Sequence, residues 1–119
     1  MALVIKKPLV PSWFVPDSTK EEDAPDDKQV RFFIGPLTSP QVLEVWEHFD
    51  QKSGSVKSIG LEIAARYAVR QWENITDEEG KDLRCTQLNI AKLPFYVIAE
   101  IGAEAVKRAV LEEAEIKNS

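Results

Sequence analysis

The spacing of apolar and polar positions changes character twice along this chain. Before Gln29 there is no helical period. Pro8, Pro11, Pro16 and Pro25 interrupt the segment, and the apolar groups Leu9-Val10 and Trp13-Phe14-Val15 stand between them. Gln29-Val30-Arg31-Phe32-Phe33-Ile34 is short, β-branched and aromatic, and it ends at Gly35-Pro36, which predicts a strand. Trp13-Phe14-Val15 is expected to pair with it as a two-stranded ribbon. Such a ribbon is marginal alone and must lie on helices.

From Thr38 the period becomes helical. Thr38-Ser39-Pro40-Gln41 reads as a start, with a hydroxyl cap, Pro near the first helical position and Gln three residues after the cap. Val42, Val45, Trp46 and Phe49 follow on one face, predicting a helix that ends near Asp50 to Lys52, with Gly54 marking the break. A second helix is predicted from about Ser58 to Glu73. Its stripe is Leu61, Ala64, Ala65, Ala68 and Trp72, with Ile63 and Tyr67 beside it and Glu62 set four before Arg66. Residues 74–80 read as a turn. Thr86 is placed to cap a short helix over Gln87 to Lys92, and Pro94 stops it or starts the next. Phe95, Ile98, Ile101, Ala105 and Ala109 mark a final helix to about Glu113, in which Gly102 is a weak point or a point of close contact.

The fold expected is mainly α (α+β): three to four helices packed as one domain over residues 1–119, with a small N-terminal β-ribbon. Residues 1–28 are read as an extended, partly mobile segment with an acidic loop at 17–28. Residues 29–113 are the globular helical core, and 114–119 a flexible tail. The candidate core is Trp46, Phe49, Leu61, Tyr67, Trp72, Phe95, Ile98 and Ile101.

Composition narrows the function classes. The chain has 119 residues with 20 acidic and 15 basic side chains, a formal net charge of −5 and 44% hydrophobic residues. This balance is that of an ordinary globular domain. The acidity argues against a generic nucleic-acid binder and against binding to anionic membrane surfaces. Most of the excess charge falls in Asp17 to Lys28. A single cysteine, Cys85, rules out an internal disulfide framework and suits a reducing compartment. The first residues carry their lysines after the apolar run, opposite to a signal peptide, and no stretch approaches a membrane span. The address expected is cytosolic.

Little in the sequence points to catalysis. His48 is the only histidine, on the first predicted helix, and reads as a partly exposed helical residue near Glu44. A zinc site or a His-dependent nucleophile needs more His or Cys. Cys85 reads as a structural thiol. Residues 77–82 superficially resemble a calcium loop. With Gly80 as the invariant glycine, however, the first and last ligand positions fall on Ile75 and Thr86, and the match fails. No glycine-rich phosphate loop is present, and the carboxylates lie in loops or on polar helix faces. The reading is therefore a non-enzymatic protein with no cofactor and no metal. The tryptophans Trp13, Trp46 and Trp72 are more informative, since Trp is at home both in cores and at protein contacts. Trp13, Phe14, Val15 and Phe33 are the candidate contact residues.

A longer pattern lies downstream. Ala65 to Lys81 reads as a helix ending in Trp72, a short aliphatic step, and an Asp-acidic-Gly turn. Thr86 to Leu93 is a capped segment, Pro94 to Leu111 an apolar helix, and Glu112 to Asn118 an acidic tail containing Lys117-Asn118. Upstream, Arg31 to Pro40 forms a strand followed by a capped helix start. Over residues 29–118 this resembles the tail assembly chaperones of long, non-contractile-tailed bacteriophages of the lambda-like kind. The sequence departs from the pattern at Leu83-Arg84-Cys85, and residues 1–28 lie outside it.

The resemblance implies a protein of the host cytoplasm, absent from the mature virion. It would coat the tape measure protein until the tail tube polymerises around it. It also implies a longer form made by a programmed frameshift, which recruits the tail tube protein. A run of A codons near Lys117 and Asn118 is the place to look for that slip. A long client requires many copies, so self-association is expected, with head-to-tail contacts one route to it. The competing reading is a structural head–tail connector or tail completion protein of the virion. A third is a small cytosolic adaptor of another type.

Overall fold

The computed structural model describes the backbone of residues 10–117 and the side chains of residues 10–109. In chain order the elements are β1 (Ser12–Phe14), β2 (Arg31–Ile34), α1 (Ser39–Trp46), β3 (Phe49–Asp50), β4 (Ser55–Val56), α2 (Ser58–Ala68), β5 (Val69–Glu73), α3 (Gln87–Ile90) and α4 (Phe95–Lys117). This is an α+β fold of four helices with a small antiparallel sheet on the N-terminal side.

Side-chain alternation along β2 decides the sheet. Phe32 and Ile34 are fully buried on one face, while Arg31 and Phe33 lie half-exposed on the other. The ribbon expected from the sequence is present: β1 pairs antiparallel with β2, Trp13 opposite Phe33 and Phe14 opposite Phe32. The sheet has a third strand, β5, on the far side of β2, with Trp72 opposite Phe32. The register slips between Phe33 and Ile34, which leaves Arg70 as the extra residue of a bulge.

The helices close over the inner face. Ala64, Ala65 and Ala68 of α2 and Ile101 and Ala105 of α4 are buried, so the two helix backbones approach closely. Gly102 is where they meet. A Cβ there would sit 2.1 Å from the carbonyl oxygen of Leu61. Gly60, on the other flank of α2, is similarly confined by Val56 and by the backbone of α1. Thr38 caps α1 in a capping box with Gln41, and the Thr86 hydroxyl accepts from the Asn89 N–H at the start of α3.

Several expectations are corrected. The second helix stops at Ala68 instead of Glu73. Trp72 does reach the core, but from β5. Its ring meets Phe32 edge-on at 6.1 Å, and its indole N–H donates to the Leu83 carbonyl at 2.8 Å. The first helix stops at Trp46, and Phe49 instead begins the β3–β4 hairpin, opposite Val56. Trp46 and Phe49 pack on each other with ring centres 4.9 Å apart, half-buried and outside the main core. Leu61 and Tyr67 are also half-buried, whereas Ile98 and Ile101 are buried. Phe95 is 56% exposed and is not core. The buried stripe of α4 runs through Val97, Ile98, Ile101 and Ala105, and Phe95, in the first turn, projects to one side of it. The helix also continues to Lys117, through the start of the expected tail. Asn118 and the Lys117 side chain lie outside the described residues.

The acidic loop is exposed but well tied. Gln29, 3% exposed, is the buried polar side chain of the core region. Its amide donates to the carbonyls of Glu21 and Ala24 and accepts from the Glu21 N–H. Asn74, held at φ 64°, donates its side-chain amide to the carbonyls of Asp27 and Gln29. The Ser18 hydroxyl donates to Glu100 on α4 at 3.0 Å.

Candidate protein-contact surface

The four residues singled out as contacts divide between two faces of the sheet. Strand alternation sends Trp13 and Phe33 to the outer face, where their rings pack at 5.1 Å and 52°. Phe14, one residue on, turns inward and packs against the core, a correction to its reading as a contact. Val15 follows the strand half-buried. Arg31 completes the outer face. Its guanidinium lies 4.3 Å from the centre of the Trp13 ring and is paired with Glu73 at 2.8 Å. The Trp13 indole is thus fixed from two sides, by Phe33 and by Arg31. Among the described residues, β1 is the edge of the sheet.

A second surface was not visible in the helical periodicity. Leu88 on α3 is 71% exposed, and Phe95 and Tyr96 in the first turn of α4 are 56% and 57% exposed. All three lie within one short stretch of chain, α3 and the start of α4 joined by residues 91–94. They are three of the six exposed large apolar side chains among the described residues, gathered within residues 88–96. A usable signal was Phe95-Tyr96 directly after Pro94, since a first helical turn has fewer neighbours to cover it.

Between α1 and α2 runs a shallow groove of about 300 Å³ lined by Glu44, Ile63, Arg66, Tyr67 and Gln87. The Tyr67 hydroxyl donates to Glu44 at 2.5 Å, and this hydrogen bond to a carboxylate holds the phenol above its ordinary pKa. Gln87 donates to the last-turn carbonyl of Arg66 at 3.0 Å, so the end of this groove serves to cap α2. A depression of about 250 Å³ beside Trp72, Asn74 and Leu83 lies between the end of β5 and the turn after it.

Chemistry-bearing groups do not converge. Cys85 is half-buried, and burial raises its thiol pKa, which keeps it protonated near neutrality. His48 sits in the turn after α1, where its backbone N–H donates to Val45 and its Cβ faces Gly60. Among the described residues, no three or more His, Cys, Asp and Glu side chains gather as a metal site. No helix among them is long and apolar enough to cross a membrane. What the arrangement offers is contact surface: an aromatic sheet face and an apolar helix start, set on an acidic molecule. Comparison with protein-family models, with curated proteins and with solved structures gives no match to this chain.

Proposed function

We propose that this chain is a non-enzymatic assembly chaperone of a phage tail, which binds the tape measure protein and keeps it soluble while the tail tube is built. The observation that carries the reading is the exposed trio Leu88, Phe95 and Tyr96. Its physical sense is that a protein which holds a long, partly apolar helical client needs apolar side chains presented in advance. It also needs a net charge that keeps many copies apart in solution, here −5. The patterned stretch from residue 29 to residue 118 supports the same reading. On this reading the protein works in the host cytoplasm, associates with further copies along the client and is left out of the finished virion. A longer frameshifted form joins it to the tail tube protein.

Co-expression with the tape measure protein tests this. The client should be soluble with the wild-type chain and should precipitate with the triple variant Leu88→Ser/Phe95→Ser/Tyr96→Ser, itself still folded by circular dichroism. A client that stays insoluble beside the wild-type chain overturns the proposal. So does finding the chain as a component of purified virions, the result that a connector or completion protein would give.

A further inference from the structure

In this acidic chain the stretch from Leu83 to Ala99 holds no Asp or Glu. It holds two cations, Arg84 and Lys92, and both are exposed. Among the described residues neither enters an ion pair. Leu88, Phe95 and Tyr96 all fall inside this stretch. Local structure keeps the cations beside them. The Asn89 side-chain amide donates to the Arg84 carbonyl at 2.9 Å, which folds Arg84 back on the start of α3. Lys92 follows Leu88 by four residues, one turn further on, and its backbone N–H donates to the Asn89 carbonyl at 3.0 Å. The first turn of α4 has no acidic side chain, so the positive end of that helix adds to the same field. Glu100, the first acid along α4, accepts from the Ser18 hydroxyl at 3.0 Å.

We infer, resting on the reading of Leu88, Phe95 and Tyr96 as the client contact, that the segment they hold is an acidic amphipathic one. Its apolar side chains seat on Leu88, Phe95 and Tyr96, and Asp or Glu beside them meet Arg84 and Lys92. The net charge of −5 would by itself favour a basic partner. Charges more than about 8 Å apart are largely screened at physiological salt, however, so the groups next to the contact decide the preference. Here those groups are two cations and a helix N-terminus. The division of labour follows from their chemistry. The exposed aromatic and aliphatic groups supply the affinity, since such side chains dominate contact energies. The cations steer the approach and discriminate between segments. An equally apolar segment flanked by Lys or Arg meets like charge at Arg84, at Lys92 and at the start of α4, and is turned away by repulsion.

Two synthetic amphipathic helical peptides provide the test, with the same leucine face and a polar face of Glu in one and Lys in the other. Isothermal titration against the full chain should show the Glu peptide bound about tenfold or more tightly than the Lys peptide. The preference should shrink as salt is raised. Arg84→Glu/Lys92→Glu should remove or reverse it. Leu88→Ser/Phe95→Ser/Tyr96→Ser should abolish binding of both peptides. All five positions are exposed, and circular dichroism checks that each variant folds. Equal binding, or a preference for the Lys peptide, overturns the inference, since that is what total charge alone produces. Binding of neither peptide overturns it, and so does a preference that survives Arg84→Glu/Lys92→Glu. Sedimentation velocity without peptide adds a further check: self-association that the triple variant loses would put a second copy on this surface, and also overturns it. Solubility of the tape measure protein is a separate readout. A client that precipitates beside a chain selecting the Glu peptide overturns the chaperone reading alone. A client kept soluble by a chain without that selectivity overturns this inference alone.

Discussion

The first turn of α4 and its buried middle are governed by opposite shortages. At Gly102 the helix lacks space: the Leu61 carbonyl stands where a methyl group would go, and the buried alanines around it let α2 and α4 approach with almost nothing between them. At Phe95 and Tyr96 the helix lacks neighbours: two aromatic rings, each able to bury a large apolar area, are left more than half exposed. Gly102, with no side chain at all, is buried, while Phe95 and Tyr96 are among the most open residues of the helix. Burial here follows what lies opposite each residue more than the residue's own hydrophobicity. The seam holds the fold, and the first turn is left open by the described residues around it.

The most damaging way to break this contrast is to put a methyl group into the seam. Gly102→Ala should cost about 3 kcal/mol, because the obstacle is backbone and cannot rotate away. Urea denaturation would read this as a lower midpoint with an unchanged slope, despite alanine's better helix propensity. Phe95→Ser tests the other end. Its effect on stability should stay within about 0.5 kcal/mol, as at an exposed site. A loss of several kcal/mol would show that the ring is covered by the protein's own chain.

The smallest effect concerns the groove between α1 and α2. Tyr67 has a raised pKa because its hydroxyl donates to Glu44. A raised folded pKa means that the folded state holds its proton longer than the unfolded chain does. The contribution is complete below the unfolded value of about 10 and is lost as pH rises from there through the folded value. Spectrophotometric titration should therefore place the Tyr67 ionisation above the ordinary tyrosine value, and Glu44→Gln should bring it back down.

Much of the fold was legible because its signals are local. The Thr38 and Thr86 caps, the turn at Gly35-Pro36 and the pairing of Trp13 with the Phe33 strand each depend on a few adjacent residues. The strand β5 was not, and Val69 to Glu73 shows why. Trp72 lies four residues after Ala68 and so fits a helical stripe, while Val69 and Trp72 fit a bulged strand equally well. The unpaired side of β2 settles the choice, since Phe32 and Ile34 need a partner strand for their backbone groups, and that demand is written forty residues upstream. Phe49 was misplaced for a similar reason. It continues the spacing of α1, but the four-residue turn that ends at Gly54, with φ 71°, turns the chain into a hairpin instead. For the candidate contact surface, the sequence pointed to Trp13 and Phe33, whose outward face follows from strand alternation. It missed Phe95 and Tyr96, because periodicity marks which residues share a stripe and not where along a helix the covering neighbours end.

The acidic loop looks like the natural place for a protease to cut, with Lys20 and Lys28 exposed among carboxylates. Its backbone is nonetheless claimed along its length. Gln29 holds Glu21 and Ala24, Asn74 holds Asp27, and Ser18 reaches Glu100. A protease needs an extended stretch of substrate, so it must wait for these contacts to release together. Trypsin would then act as a clock on that release. Because Asn74 follows directly on β5, the rate of nicking at two surface lysines reports how firmly the buried sheet is closed.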